Sequence, residues 1–163
     1  MDRDAFWKIM EQTRSADADE QANAIVSILT KVAAEEIVDF ERHMGELLAA
    51  TYSWDVWGAA YLMRGGCSDD GFDYFRGWLI GQGKAIFEAT LADPDSLADV
   101  PDLDDDAEGE SLLYVAFRAH DKVVGTELPR VRIDLPELGE EWDFDDDDEM
   151  RKRYPKLFTM FGE

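Results

Sequence analysis

The chain has 163 residues, with 16 Lys and Arg against 38 Asp and Glu, for a formal net charge of −22. This length suits one domain with a sizeable core, and a composition that is 45% hydrophobic and 12% aromatic can fold it. A surface of this sign excludes a nucleic-acid or anionic-membrane binder held by phosphate neutralisation.

Apolar spacing predicts helices through nearly everything before residue 93. Residues 2–13 place Phe6, Ile9 and Met10 on one stripe, with Asp2 and Asp4 in the first turn. Asp17 and Glu20 form an approximate capping box. The helix that follows carries Ala22, Ile25, Val26 and Leu29 at i, i+3, i+4, i+7. Glu35 to about Tyr52 repeats the pattern with Ile37, Phe40, Met44, Leu47 and Leu48. Trp54 to Arg64 aligns Trp54, Trp57 and Tyr61, and Gly65-Gly66 stops it. A fifth helix starts near Ser68 or Asp69 and runs to about Gly81–Gly83, with Phe72, Phe75 and Leu79 on a stripe flanked by Trp78. Lys84 to Leu91 either extends it or forms a short helix of its own. Ser111 to Val124 aligns Leu112, Val115, Ala116, Ala119 and Val123. Val131-Arg132-Ile133 is the one candidate strand, too isolated to build a sheet. The expectation is a single all-α domain spanning 1–163, packed around its two aromatic-rich central helices.

The acidity is localised. Windows 93–110 and 134–149 hold nine and ten acids and no base, which leaves 19 acids and 16 bases, a net of −3, for the other 129 residues. The first window has two prolines and no amphipathic period, the pattern of a solvated acidic loop. The second interleaves Leu135, Leu138, Trp142 and Phe144, which would anchor it to the body. Its closing run Asp145–Glu149 precedes Met150-Arg151-Lys152-Arg153, an order of charges that suits a short helix and its dipole.

No positive start followed by an apolar run opens the chain. No window approaches the roughly 20 apolar residues of a membrane-spanning helix. Cys67 is the one cysteine, so an intrachain disulfide and a cysteine-based zinc cluster are excluded. These features predict a soluble, reduced, cytoplasmic protein that needs no cofactor and contacts neither membrane nor nucleic acid.

Residues 53–79 carry the densest chemistry. Asp69, Asp73 and Arg76 fall at i, i+4, i+7 and share one helical face, which Asp55 on the preceding helix is placed to approach. Asp55, Asp69, Asp70, Asp73 and Arg76, with Cys67, beside Trp57, Tyr61 and Trp78, form the candidate binding cluster. Each member also has a purely structural explanation: acids favour helix N-termini, Arg76 pairs with Asp73 or Asp69, Cys67 is a small buried residue, and aromatics at helical spacing fill cores. Gly65-Gly66-Cys67-Ser68 is no phosphate loop, because Asp69 and Asp70 follow and no lysine does. Calcium loops started at Asp102 or Asp143 fail. Position 6 is Ala107 or Asp148, and position 12 is Leu113 or Tyr154. His43 and His120 belong to no metal or hydrolase motif, and a dyad with Cys67 is left to spatial placement.

Trp54-Asp55-Val56-Trp57-Gly58-Ala59-Ala60-Tyr61, then Gly65-Gly66-Cys67-Ser68-Asp69-Asp70-Gly71-Phe72, Tyr74-Phe75-Arg76, Trp78-Leu79, Asp93-Pro94-Asp95 and Leu97 together resemble the bacterial domain-of-unknown-function family numbered 4240. The opening Met1-Asp2-Arg3-Asp4-Ala5-Phe6-Trp7 is similar too, so the resemblance covers nearly the whole chain. It implies a small bacterial, intracellular protein and carries over no catalytic residue. Three functions compete. The first is a non-enzymatic binding or regulatory module that holds a protein or small molecule in the aromatic and acidic cleft around 53–79. The second is an enzyme with Asp55, Asp69, Asp70 and Asp73 converging for acid–base or divalent-metal chemistry. The third is an acidic inhibitor of a basic nucleic-acid-binding protein. The first is preferred.

Overall fold

Short polar side chains set where the helices begin. In the computed structural model, which describes residues 1–162, Asp2 accepts from the Ala5 amide and opens α1 (Arg3–Thr13). Asp17 accepts from Asp19 and Glu20 and opens α2 (Ala18–Leu29). The expected box does not close, since Glu20 instead accepts from the Ser15 hydroxyl. α3 (Ala34–Ala50) follows; Ser53 caps α4 (Trp54–Arg64) and Ser68 caps α5 (Asp69–Gly81). Gly65 ends α4 with φ +66°, a left-handed stop. Gly83, at φ +103°, separates α5 from α6 (Lys84–Ala92), so these are two helices rather than one extended helix.

α5 is the hub. Phe72, Phe75, Arg76, Gly77, Trp78, Leu79, Ile80 and Gly81 are all buried in it, and α1, α2, α3, α4 and α6 touch it. One side admits backbone instead of side chain. A Cβ on Gly77 would stand 2.7 Å from the Gly109 carbonyl oxygen, and one on Gly109 would stand 2.2 Å from the Trp78 nitrogen. The Gly109 amide donates to Tyr74 O at 3.0 Å across this contact. The seat tightens the chain that leaves it. The helix expected from Ser111 begins instead as a 3₁₀ turn, Glu110–Tyr114, before α7 (Val115–Val124). Leu112, Val115, Ala116 and Ala119 are buried as spaced, whereas Val123 is exposed beside Phe117 and Val124.

The first acidic window is partly structural, against the expectation of a solvated loop. Pro94–Asp99 forms a 3₁₀ segment against α6 and buries Leu97 and the Asp95 carboxylate. Asp95 accepts from the Lys156 amide at 3.1 Å and the Leu157 amide at 2.8 Å, the first free donors of α9 (Pro155–Phe161). A cap sixty residues away in sequence does what the local Tyr154 does not. The second window behaves as its charge order predicts: Asp146 caps α8 (Asp147–Arg153), whose last turn is basic. Leu138, Trp142 and Phe144 pack on the core, while Leu135 stays exposed.

Residues 131–133 form no strand, and no strand occurs among the described residues. Ile133 instead lies on α3 at Gly45, where an added Cβ would stand 2.8 Å from Ile133 Cγ1. One hydrophobic cluster runs from Phe6 to Leu157, consistent with the all-α expectation. No helix among the described residues is long and apolar enough to cross a membrane.

Two outcomes follow. Asp95→Ala leaves the buried Leu157 amide and the half-buried Lys156 amide at the start of α9 unpaired and is expected to cost about 1–3 kcal/mol in urea unfolding. Glu41, half-buried on α3 one turn before Gly45, is pushed up to about 7 by burial with no cation to offset it. Its charged form is the disfavoured one in the fold. Stability is therefore lost as pH rises from the ordinary carboxylate range through about 7. Glu41→Gln removes that loss, so its stability relative to the parent is expected to climb by about 1–3 kcal/mol between pH 4.5 and 8 and then level off, as read by thermal melts across pH.

Candidate functional site

Two tryptophans wall an open cleft at the start of α4. Ser53 caps the helix, and Trp54 and Asp55 occupy its first turn at the surface. Trp54 stacks on Trp57 (centroids 5.3 Å, 27°), and Trp57 stacks on Phe72 (4.5 Å, 18°), which ties the cleft wall to α5. The Trp54 indole N–H donates to Gly139 O at 3.2 Å and draws the second acidic segment across α4. Phe144 then wedges edge-on between Trp54 (5.9 Å) and Trp142 (4.8 Å), and tilts against Tyr61 at 5.3 Å.

Gly58 makes this docking possible. A Cβ there would meet the Tyr154 hydroxyl at 2.5 Å and Trp142 Cζ2 at 2.8 Å. The Tyr154 hydroxyl donates to Asp55 O, and burial raises its phenol well above the ordinary value. Arg153, the last residue of α8, lies over the Trp142 ring at 4.2 Å and reaches Asp55 at 3.3 Å and Glu149 at 3.1 Å. The cleft of about 480 Å³ is closed by Leu138, Glu140 and Glu141. The Trp142 indole nitrogen is buried without a hydrogen-bond partner.

The candidate cluster from 53–79 divides. Asp55 belongs to the cleft. Asp73 pairs with Arg76 away from the cleft lining, where Arg76 is buried against Tyr52 (5.1 Å) and Phe72 (4.6 Å) and donates to Leu48 O at 2.7 Å. Leu48 O is one of the free carbonyls at the C-terminal end of α3, so Arg76 caps α3 from α5. Burial lowers the guanidinium's pKa, and Asp73 opposes that shift. Asp69 and Asp70 are exposed in the first turn of α5. Trp57 is buried and donates to Cys67 O at 3.0 Å. Burial pushes the Cys67 thiol up to about 11, away from nucleophilic character. Trp78 is core. The Tyr61 hydroxyl donates to Asp145 at 2.6 Å, a bond that raises its phenol.

The four carboxylates an enzyme would need, Asp55, Asp69, Asp70 and Asp73, do not come together. Among the described residues, the three acids whose ligand atoms lie within 4.8 Å of one another are Asp104, Asp105 and Asp106, all exposed. Helical spacing puts Asp69 and Asp73 on a solvent face, while Asp55 is held by Arg153. A second hollow of about 660 Å³ is lined by Asp17, Asp19, Asp104, Asp106, Glu108 and Glu110 with no base.

A family model described as a protein of unknown function (DUF4240) matches residues 1–122. The chain belongs to the DUF4240 family. The matched region is shorter than the near-complete resemblance expected, and it ends inside α7. Ser53, Trp54 and Asp55 therefore come from the DUF4240 region, and Leu138, Glu140, Glu141, Trp142 and Arg153 come from the residues after it. Comparison with curated proteins and with solved structures gives no match.

The sequence named Asp55 and bracketed Ser53 and Trp54 within 53–79, but Leu138, Glu140, Glu141, Trp142 and Arg153 were missed as cleft residues. The available signal was Trp142, a large apolar side chain in a window of ten acids. Arg153 was hidden in a basic triplet that helix-dipole chemistry already explained. Gly58→Ala tests the docking, because the sign decides. An unobstructed Gly→Ala change in a helix gains about 1 kcal/mol. Here the change is expected to cost about 2–3 kcal/mol by forcing Trp142 and Tyr154 off α4, with greater acrylamide quenching of tryptophan fluorescence.

Proposed function

We propose that this chain is a non-enzymatic binding module of the bacterial cytoplasm, and that its ligand, a small molecule or a segment of a partner protein, sits in the cleft walled by Trp54 and Trp142. The observation that carries the reading is the lining. Two indole rings and Leu138 border about 480 Å³ together with five polar residues, Ser53, Asp55, Glu140, Glu141 and Arg153, four of them charged. Aromatic rings with charged groups converging beside them suit a polar or charged organic ligand.

The Asp73–Arg76 side of the original cluster stands outside this reading as a structural clamp. A second reading rests on the acidic hollow at the start of α2, whose six acids without a base suit a basic protein surface.

One experiment separates them. The chain has five tryptophans, whose indole N–H signals can be followed by NMR while metabolite, peptide and basic-protein collections are screened. A hit that moves the Trp54 and Trp142 signals and leaves the core residue Trp7 unmoved supports the cleft. Binding of a basic protein that perturbs Tyr114 and the α2 N-terminus, and leaves both indoles alone, supports the second reading. A screen in which no ligand moves either indole overturns the first.

A further inference from the structure

Resting on the cleft as the ligand site, we infer that it takes a guanidinium or alkylammonium group, and that Arg153 is the molecule's own occupant of that position, displaced when the ligand binds. The face of Trp142 already holds a cation. The Arg153 guanidinium lies 4.2 Å from the ring centroid with Asp55 at 3.3 Å and Glu149 at 3.1 Å. An aromatic face bordered by carboxylates is the arrangement that binds organic cations.

The remaining charge around the cleft has the same sign. Glu140 and Glu141 line it and are exposed. None of the ion pairs among the described residues uses either of them. Counting Asp55 and Arg153, the lining holds three carboxylates and one cation, so an anionic ligand would meet net repulsion and a cationic one net attraction. Arg153 is also held loosely enough to leave. Its side chain is 36% exposed, and ion pairs at exposed positions are individually weak.

The test uses the full chain and three probes of matched size, butylguanidinium, butyrate and n-butanol, with an acetylated Ala-Arg-Ala amide to separate a free cation from one carried on a protein segment. Titrations are read on the Trp54 and Trp142 indole signals at constant ionic strength. Butylguanidinium or the peptide is expected to move both signals, the tighter of the two marking the natural source, with butyrate and butanol inert. Arg153→Met, which keeps an apolar stem and vacates the ring face, is expected to bind butylguanidinium about tenfold more tightly than the parent. Unchanged or weaker affinity in a folded Arg153→Met overturns the displacement. If that variant does not fold, Glu140→Gln with Glu141→Gln, both at exposed positions, is expected to weaken binding about three- to tenfold in the chain that keeps Arg153, and unchanged affinity overturns the proposal. Movement of the indoles by butyrate or butanol but not by butylguanidinium overturns the cation class and leaves the cleft as a binding site. Silence with all four probes overturns the cation class, while the screen of larger ligands decides the cleft itself.

Discussion

The fold depends on backbone meeting backbone at Gly77 and Gly109. Helix α5 runs through the middle with side chains packed on its other sides, and at this one point a loop approaches closer than any Cβ would allow. The contact pins the end of the first acidic window to the centre of the molecule and starts the 3₁₀ turn that delivers Leu112 against Gly81. α7 then falls across α2 and α3. From there the chain returns along α3 to α4, so the position of the C-terminal segment follows from where α7 was placed. On another side of α5 a buried guanidinium, Arg76, secures the last turn of α3. Backbone contact on one side and a charged cap on another hold the helices that carry the aromatic residues.

The net charge of −22 separates into parts with different physical roles. Asp95 is buried and caps a helix sixty residues away. Asp146 caps α8, and Asp145 accepts from Tyr61. Asp95 and Asp145 hold the C-terminal segment on the body, while Asp146 starts its helix. Others, such as Asp104–Asp106, are exposed and make no such link; they contribute solubility and a negative field. The acidity is thus part scaffold and part surface, and only position in the fold distinguishes the two.

The helices before residue 93 were legible because caps and apolar periods are local signals. Ser53, Ser68, Asp2 and Asp17 each bond to amides two or three residues on. The split between α5 and α6 was not decided, because a glycine marks a stop only when its φ turns positive, as at Gly83. The site was legible in part. Asp55 stood in the right place, but the face shared by Asp69, Asp73 and Arg76 is a property of one helix, and the cleft is built by two stretches about ninety residues apart. Helical spacing describes which residues share a face. It carries no information about what that face meets.

The sequence by itself determined the all-helical class, the starts of the helices with local caps, the localisation of the acids and the density of aromatics around α4, since each follows from interactions within a few residues. Only the tertiary structure decided which acids are buried, that Arg76 is a clamp, and that Arg153 lies on Trp142 beside Asp55. Those outcomes depend on long-range packing, and here that packing turns on glycines, at positions 58, 77 and 109, whose missing side chains admit a partner that no local pattern names.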